Sequence, residues 1–173
     1  MRKATSQVDT WELARSEREL AGTASLSGFT RLLSGLPEQP ERVVDWRVSG
    51  QTDSVGRRYL NLWAQAVVTL ECQRCLSDFD LPLQAQSRLQ LVETEAELEA
   101  EENLEDDPEL PDQVLGSTHF DVLSLIEDEL ILALPYVPKH EVCPSLPDAL
   151  ETDESSDNRR PSPFAVLAEL KKD

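Results

Sequence analysis

The sequence predicts an α+β fold in which one main helix packs on a mostly antiparallel β-sheet. Three segments in its first half alternate apolar and polar residues with a period of two, the pattern of strands with one solvated face. The later segment 120–134 instead repeats its apolar residues at spacings of one, three and four, the pattern of a helix. Carboxylate-rich stretches predict acidic disordered loops, and a short C-terminal helix completes the predicted fold.

The strand predictions rest on the alternation within each segment. Val44, Trp46 and Val48 share one face of the first strand, and the even positions of 60–70 and the odd positions of 79–91 are mostly apolar. Short connections between these segments favour antiparallel pairing.

Two further signals come from single residues. Asp9 followed by Glu12 resembles a capping box and predicts a short helix that continues to about Arg18. Pro82 cannot donate a backbone hydrogen bond, so the third strand is expected to begin at an edge or a bulge.

The predicted organisation is a single domain over 1–143 with a disordered acidic insert at 93–117. An acidic linker at 144–161 and a C-terminal helix at 162–173 follow it. Within the insert, residues 93–113 carry eleven carboxylates and no basic side chain, so they bury too little apolar surface to offset their ordering. This stretch is either a solvated spacer or a decoy surface for a basic partner. The C-terminal helix docks either on its own domain or on a partner.

The formal charge of −18 lies entirely in the second half, because residues 93–173 carry five basic and twenty-three acidic side chains. Such a charge attracts basic proteins and disfavours nonspecific RNA binding, although the neutral half remains free to contact RNA. The sequence shows no signal peptide and no run near the roughly 20 apolar residues of a membrane span. Three cysteines do not suggest a disulfide framework, so a cytoplasmic protein without membrane contact is predicted.

Four residues form a candidate metal set. Cys72 and Cys75 bracket the turn between two predicted strands, and His140 and Cys143 follow a proline-stiffened segment after the main helix. Together they make the Cys3His set of a closed structural zinc site. The alternatives are reduced thiols without a ligand, and redox chemistry, which usually places its Cys-x-x-Cys at a helix N-terminus.

No sequence pattern indicates an active site. The chain has no Gly-rich phosphate loop, no His-Glu-x-x-His and no Gly-x-Ser-x-Gly, so it is not expected to be an enzyme or to bind a small-molecule substrate. Candidate RNA contacts are Arg74, Arg57, Arg58 and Arg88, on the predicted sheet and its tip. The alternative is that these arginines pair with nearby acids.

Three blocks in this order resemble the YceD family of bacterial and plastid proteins. They are LECQRCL at 70–76, IEDELILALP at 126–135 and PFAVLAELK at 163–171. The resemblance implies a role in the synthesis, processing or stability of 23S rRNA, with the rRNA or its precursor as partner. Family members are often encoded beside a basic zinc-ribbon ribosomal protein of the large subunit. An acidic chaperone that carries such a protein is therefore the alternative.

Overall fold

The computed structural model describes residues 7–102 and 111–144. Strands predominate, and the predicted α+β class is confirmed. The elements in chain order are β1 (Gln7–Val8), α1 (Thr10–Ser16), β2 (Glu19–Ser25), a 3-10 turn (Leu26–Gly28), β3 (Val43–Thr52), β4 (Arg58–Glu71), β5 (Asp78–Val92), α2 (Glu95–Glu102), β6 (Gln113–Leu115), β7 (Phe120–Asp121) and α3 (Val122–Leu132).

Five strands form the main sheet in the order β2-β3-β4-β5-β6. The first four are antiparallel neighbours, whereas β6 runs parallel to the end of β5. The β4–β5 hairpin pairs continuously from Arg58↔Leu91 to Glu71↔Asp78, which makes it the longest unit of the fold. The turn 72–77 therefore lies at one end of the sheet, and the β3–β4 turn lies at the other.

The two faces of the sheet differ as the alternation predicted. On β4 the even residues from Leu60 to Leu70 are buried, while most of the odd residues are partly or fully exposed. The fully buried Ile126 and Leu130 of α3 belong to the same core cluster as the even residues of β4. The three predicted strands are thus confirmed, and the core lies on one face of the sheet.

Helix α1 begins where the sequence predicted. The Asp9 carboxylate accepts hydrogen bonds from the backbone amides of Trp11 and Glu12, at 2.9 and 3.0 Å. These bonds satisfy two of the amides that a helix N-terminus leaves without partners. The helix ends at Ser16, two residues before the predicted end, because Glu17 turns into the left-handed conformation with a φ of 50°.

Gly50 of β3 lies directly beneath α1. A Cβ at this position would sit 2.3 Å from the carbonyl carbon and oxygen of Leu13. These are backbone atoms, so relieving the clash would require α1 to move away from β3. We expect Gly50→Ala to lower the free energy of unfolding by about 2–3 kcal/mol in urea titrations, as overpacking does. Gly28→Ala is the control, because nothing lies within 4 Å of its new Cβ. Equal stability of the two variants would contradict this packing.

The prediction of disorder throughout 93–117 is wrong for α2 and β6. Ala, Leu and Glu are strong helix formers, and the start of α2 is capped. The Thr94 hydroxyl accepts a hydrogen bond from the Glu97 amide at 3.3 Å, and the Glu97 carboxylate accepts one from the Glu93 amide at 2.9 Å. Strand β6 is held by parallel pairing with β5. Residues 103–110 lie outside the described part.

The main helix is slightly shorter than predicted. Residues 120–121 form β7, which pairs with β1, and Asp121 caps α3 by accepting from the Leu123 and Ser124 amides. At Pro82, β5 pairs with β4 on one side. On the other side it has no partner among the described strands, because β6 pairs only with 90–92. Its expected edge position is thus confirmed.

The predicted C-terminal helix, and all but the first residue of the linker before it, fall in 145–173, outside the described part. The domain division therefore stays a prediction. Each helix within 7–102 and 111–144 is too short or too polar to cross a membrane.

Candidate metal centre

The turn between β4 and β5 brings two thiols together. The amide of Leu76 donates to the Cys72 carbonyl at 2.8 Å, and the amide of Cys72 donates to the Ser77 carbonyl at 3.0 Å. Leu76 takes a φ of 58°, a left-handed conformation that this tight turn requires. Cys72 and Cys75 are both buried, so the turn holds their side chains inward rather than toward solvent.

The segment after α3 delivers the second pair of side chains. The Pro138 carbonyl accepts a hydrogen bond from the Gln73 amide at 2.9 Å, which fixes this segment against the turn. The His140 amide then donates to the Cys72 sulfur at 3.4 Å. The His140 ring packs on Phe79 with the ring centroids 4.7 Å apart, which orients the imidazole.

All four residues of the candidate set converge. Their ligand atoms lie within 4.8 Å of one another. The sulfurs of Cys72 and Cys143 are 3.7 Å apart, and the Cys75 sulfur lies 3.3 Å from Nδ1 of His140. A tetrahedral zinc with bonds of about 2.3 Å to sulfur and 2.0 Å to nitrogen requires separations of about 3.8 and 3.5 Å. The residues therefore fit a metal ion of this size and preference.

Backbone amides prepare one of the thiols for metal binding. Burial raises the pKa of Cys72, but hydrogen bonds from the amides of His140, Cys75 and Arg74 outweigh it and lower the pKa to about 5. Cys72 is therefore a thiolate at neutral pH, the form that ligates metals. The pKa of Cys143 is raised, mainly by burial and also by the neighbouring thiols, although Arg74 opposes the rise.

Arg74 belongs to this centre as well as to the exposed surface. Its Nε donates to the Cys143 sulfur at 2.9 Å and its Nη2 donates to the His140 carbonyl at 3.2 Å. Three thiolates around a divalent ion leave a net charge of −1, which the guanidinium offsets. Its position between the two cysteines was the only sequence signal for this role.

Loss of the Arg74 guanidinium is expected to weaken metal retention. We expect Arg74→Gln to lower the affinity about tenfold or more in chelator competition, as loss of an outer hydrogen bond to a ligand does. Gln73→Ala is the control, because only the backbone of Gln73 contacts the Pro138 carbonyl. Arg74→Gln with the affinity of the unchanged chain would show that the guanidinium does not support the site.

The four arginines named as RNA contacts do not form one cluster. Arg74 lies at the cysteine turn, whereas Arg57, Arg58 and Arg88 lie near the other end of the hairpin, about 40 Å away for an extended strand of this length. Arg57 pairs with Asp53 at 2.8 Å and Arg58 with Glu93 at 3.3 Å. The Arg88 guanidinium lies over the ring of Tyr59, 4.2 Å from its centroid. Whether any of them contacts RNA stays a prediction.

Taken together, the fold and the site define an α+β protein whose longest hairpin carries a candidate structural metal centre. A family model described as "Large ribosomal RNA subunit accumulation protein YceD" matches residues 60–171, which include all four candidate ligands. The chain belongs to the YceD family.

A curated relative from Haemophilus influenzae (strain ATCC 51907 / DSM 11121 / KW20 / Rd), named "Large ribosomal RNA subunit accumulation protein YceD", is 33% identical over 120 residues. The alignment covers 62% of this chain and 62% of the relative, so the chain spans less than two thirds of the relative's length. No solved structure shows significant similarity to the chain.

Proposed function

We propose that the protein is a non-enzymatic, cytoplasmic factor that supports the accumulation of 23S rRNA through its synthesis, processing or stability. The observation that carries this proposal is the family match over residues 60–171. The matched region contains nearly all of the hairpin, α3 and the candidate metal centre. A role without catalysis agrees with the Cys3His set, because four protein ligands leave no open position on a tetrahedral ion.

The metal in this proposal is a structural zinc held by Cys72, Cys75, His140 and Cys143. Its task is to hold the segment after α3 on the hairpin tip, closing a loop of 65 residues between Cys75 and His140. Closing a loop of that length costs about 4 kcal/mol of chain entropy, which metal binding offsets together with the packing of α3 in the core. The zinc therefore shapes one end of the sheet rather than reacting.

Direct contact with the rRNA or its precursor is the form of action that we propose. Residues 41–92 carry six basic and six acidic side chains, so the sheet is electrically balanced in a chain of charge −18. Arg57, Arg58 and Arg88 supply cations at one end of it, and Arg74 lies at the other. A polyanion meets less repulsion on this sheet than on the acidic second half.

The test is the rRNA content of cells from which the gene has been deleted. We expect the ratio of large- to small-subunit rRNA to fall and to recover when the full chain is supplied again. A chain with Glu12→Gln, an exposed change far from the metal centre, should restore the ratio equally well. An unchanged ratio in the deletion strain would overturn the proposed function.

One observation favours the alternative, a chaperone that carries a basic ribosomal protein. Of the seven large hydrophobic residues exposed in the described part, four lie within four residues of a candidate ligand in the sequence: Leu76, Tyr136, Val137 and Val142. Such a surface suits a protein partner better than RNA. Replacing the carboxylates of 93–113 by amides should abolish the effect on rRNA if the protein is a carrier, and should be mild if it contacts RNA directly.

A further inference from the structure

The outer face of the sheet has a composition unlike the rest of the chain. Strand register places twelve side chains of β3, β4 and β5 in a grid of three columns, with four residues in each. Six of them are carboxamides and two are aromatic. The columns are Gln51, Ser49, Arg47 and Asp45; Tyr59, Asn61, Trp63 and Gln65; and Gln90, Arg88, Gln86 and Gln84.

Charge separates this grid from its surroundings. It carries two arginines and one carboxylate, Asp45, whereas the whole chain has a charge of −18. No carboxylate of the described residues forms an ion pair with Arg47 or Arg88, although Arg31, Arg42, Arg57 and Arg58 are all paired. The two guanidiniums on this face are therefore available to bind the anionic groups of a ligand.

Both arginines lie over aromatic rings. The guanidinium carbon of Arg47 is 5.1 Å from the ring centroid of Trp63, and that of Arg88 is 4.2 Å from the centroid of Tyr59. Tyr59 is buried beneath its arginine, but Trp63 is only partly buried. Trp63 lies directly between Arg47 and Gln86 in the register, at the centre of the grid.

The chemistry of the grid matches unpaired nucleotides. A partly exposed indole offers a surface on which a base can stack, and guanidiniums bind phosphate or stack in turn. Carboxamides both donate and accept hydrogen bonds, as the edges of bases do. A three-stranded sheet face is too broad to enter the grooves of an RNA duplex, so the bases must already be unpaired.

We propose that the outer face of β3, β4 and β5 binds single-stranded RNA, with a base stacked on Trp63 and phosphates held by Arg47 and Arg88. This inference rests on the proposed function, and it names the surface and the kind of RNA. A protein partner is disfavoured here, because apart from Trp63 the exposed residues of the grid are polar and offer no apolar anchor. The face also lies apart from the metal centre, so Arg74 is not part of it.

The experiment measures binding of short, labelled, single-stranded RNA to the full chain by fluorescence anisotropy at several salt concentrations. We expect Trp63→Ala to bind about tenfold more weakly, as removal of a stacking platform does, and Trp63→Phe to recover part of the loss. Arg47→Gln and Arg88→Gln should each reduce the salt dependence by about 0.7 in the logarithmic slope. Thermal melting identifies any variant that fails to fold.

Two controls make the result specific. Arg15→Gln removes the same charge from an exposed arginine of α1, away from the grid, and should leave binding unchanged. An RNA duplex of the same sequence should bind much more weakly than the single strand. Folded Trp63→Ala and Arg88→Gln variants that bind like the unchanged chain would overturn the proposal, as would single-stranded RNA that does not bind at all.

A cell experiment separates this inference from the proposed function. If deletion of the gene leaves the rRNA ratio unchanged, the proposed function fails whatever the binding assay shows. If deletion lowers the ratio and a Trp63→Ala chain restores it fully, only the assignment of the outer face fails. The result that supports both is a lowered ratio that the unchanged chain restores and the Trp63→Ala chain does not.

Discussion

Cys72→Ser is expected to release the metal and to lower the melting temperature by about 10 °C. The serine hydroxyl is a poor zinc ligand, and three remaining ligands hold the ion weakly. The free energy of metal binding, which stabilises the folded chain, is then lost, and a ligand at about a thousand times its dissociation constant contributes about 4 kcal/mol. For a chain of this size such a loss corresponds to a shift of about 10 °C. Elemental analysis and differential scanning calorimetry of the same samples measure both effects.

The controls for Cys72→Ser separate metal loss from general damage. Glu141→Gln changes an exposed side chain between two ligands and should retain one metal per chain and the original melting temperature. A strong chelator should lower the melting temperature of the unchanged chain but not that of Cys72→Ser. The metal hypothesis would be wrong if the purified chain contained no metal and had the same melting temperature as Cys72→Ser.

The second large effect is expected at Glu127, a buried carboxylate in α3. Its Oε1 accepts hydrogen bonds from the amides of Arg31 and Leu32, at 2.7 and 3.1 Å, and its Oε2 accepts from Nε of Arg31 at 3.1 Å. Glu127→Ala leaves two amides without a partner and empties the space, so we expect a loss of about 3–4 kcal/mol in the free energy of unfolding. Urea denaturation measures the loss.

Two variants test the cause of the Glu127 effect. Glu127→Gln retains an oxygen that can accept from both amides and should lose only about 1 kcal/mol. Asp128→Asn removes the other carboxylate that pairs with Arg31, but it lies at the surface and should change stability by less than about 0.5 kcal/mol. If Glu127→Ala were no more damaging than Asp128→Asn, the carboxylate would not anchor the backbone of Arg31 and Leu32 to α3.

The strands were predictable because local alternation and burial agree. The even residues from Leu60 to Leu70 are apolar and buried, and Trp46 follows the same rule opposite Ala64. The sequence left the face of Trp63 open, since an aromatic residue in a strand suits either face. It became clear only from the register, which pairs Trp63 with Arg47.

Contacts between distant segments explain most of what the sequence did not predict. The short pairing of β1 with β7 joins residues more than a hundred positions apart, and no local sequence pattern predicts it. Helix α2 was missed for another reason. Its acidic composition is typical of disorder, whereas Glu, Ala and Leu have good helix propensity and Thr94 caps the helix.

The candidate metal centre was predictable in its ligands but not in its surroundings. The spacing of Cys72 and Cys75, and the pairing of His140 with Cys143, identified all four residues, and the structure brings them together. The hydrogen bond from Arg74 to the Cys143 sulfur depends on the path of the chain after α3. The sequence therefore predicted Arg74 as an RNA contact and did not indicate its hydrogen bond to the thiol.

The most direct test of a role at the rRNA itself is capture of the tagged, full-length protein from growing cells, with bound RNA and bound protein both identified. We expect enrichment of 23S rRNA or its precursors that does not depend on co-purified ribosomal proteins, and loss of this enrichment in Trp63→Ala. Recovery of one basic large-subunit ribosomal protein with no enrichment of 23S RNA would contradict it and would assign the protein to the carrier class.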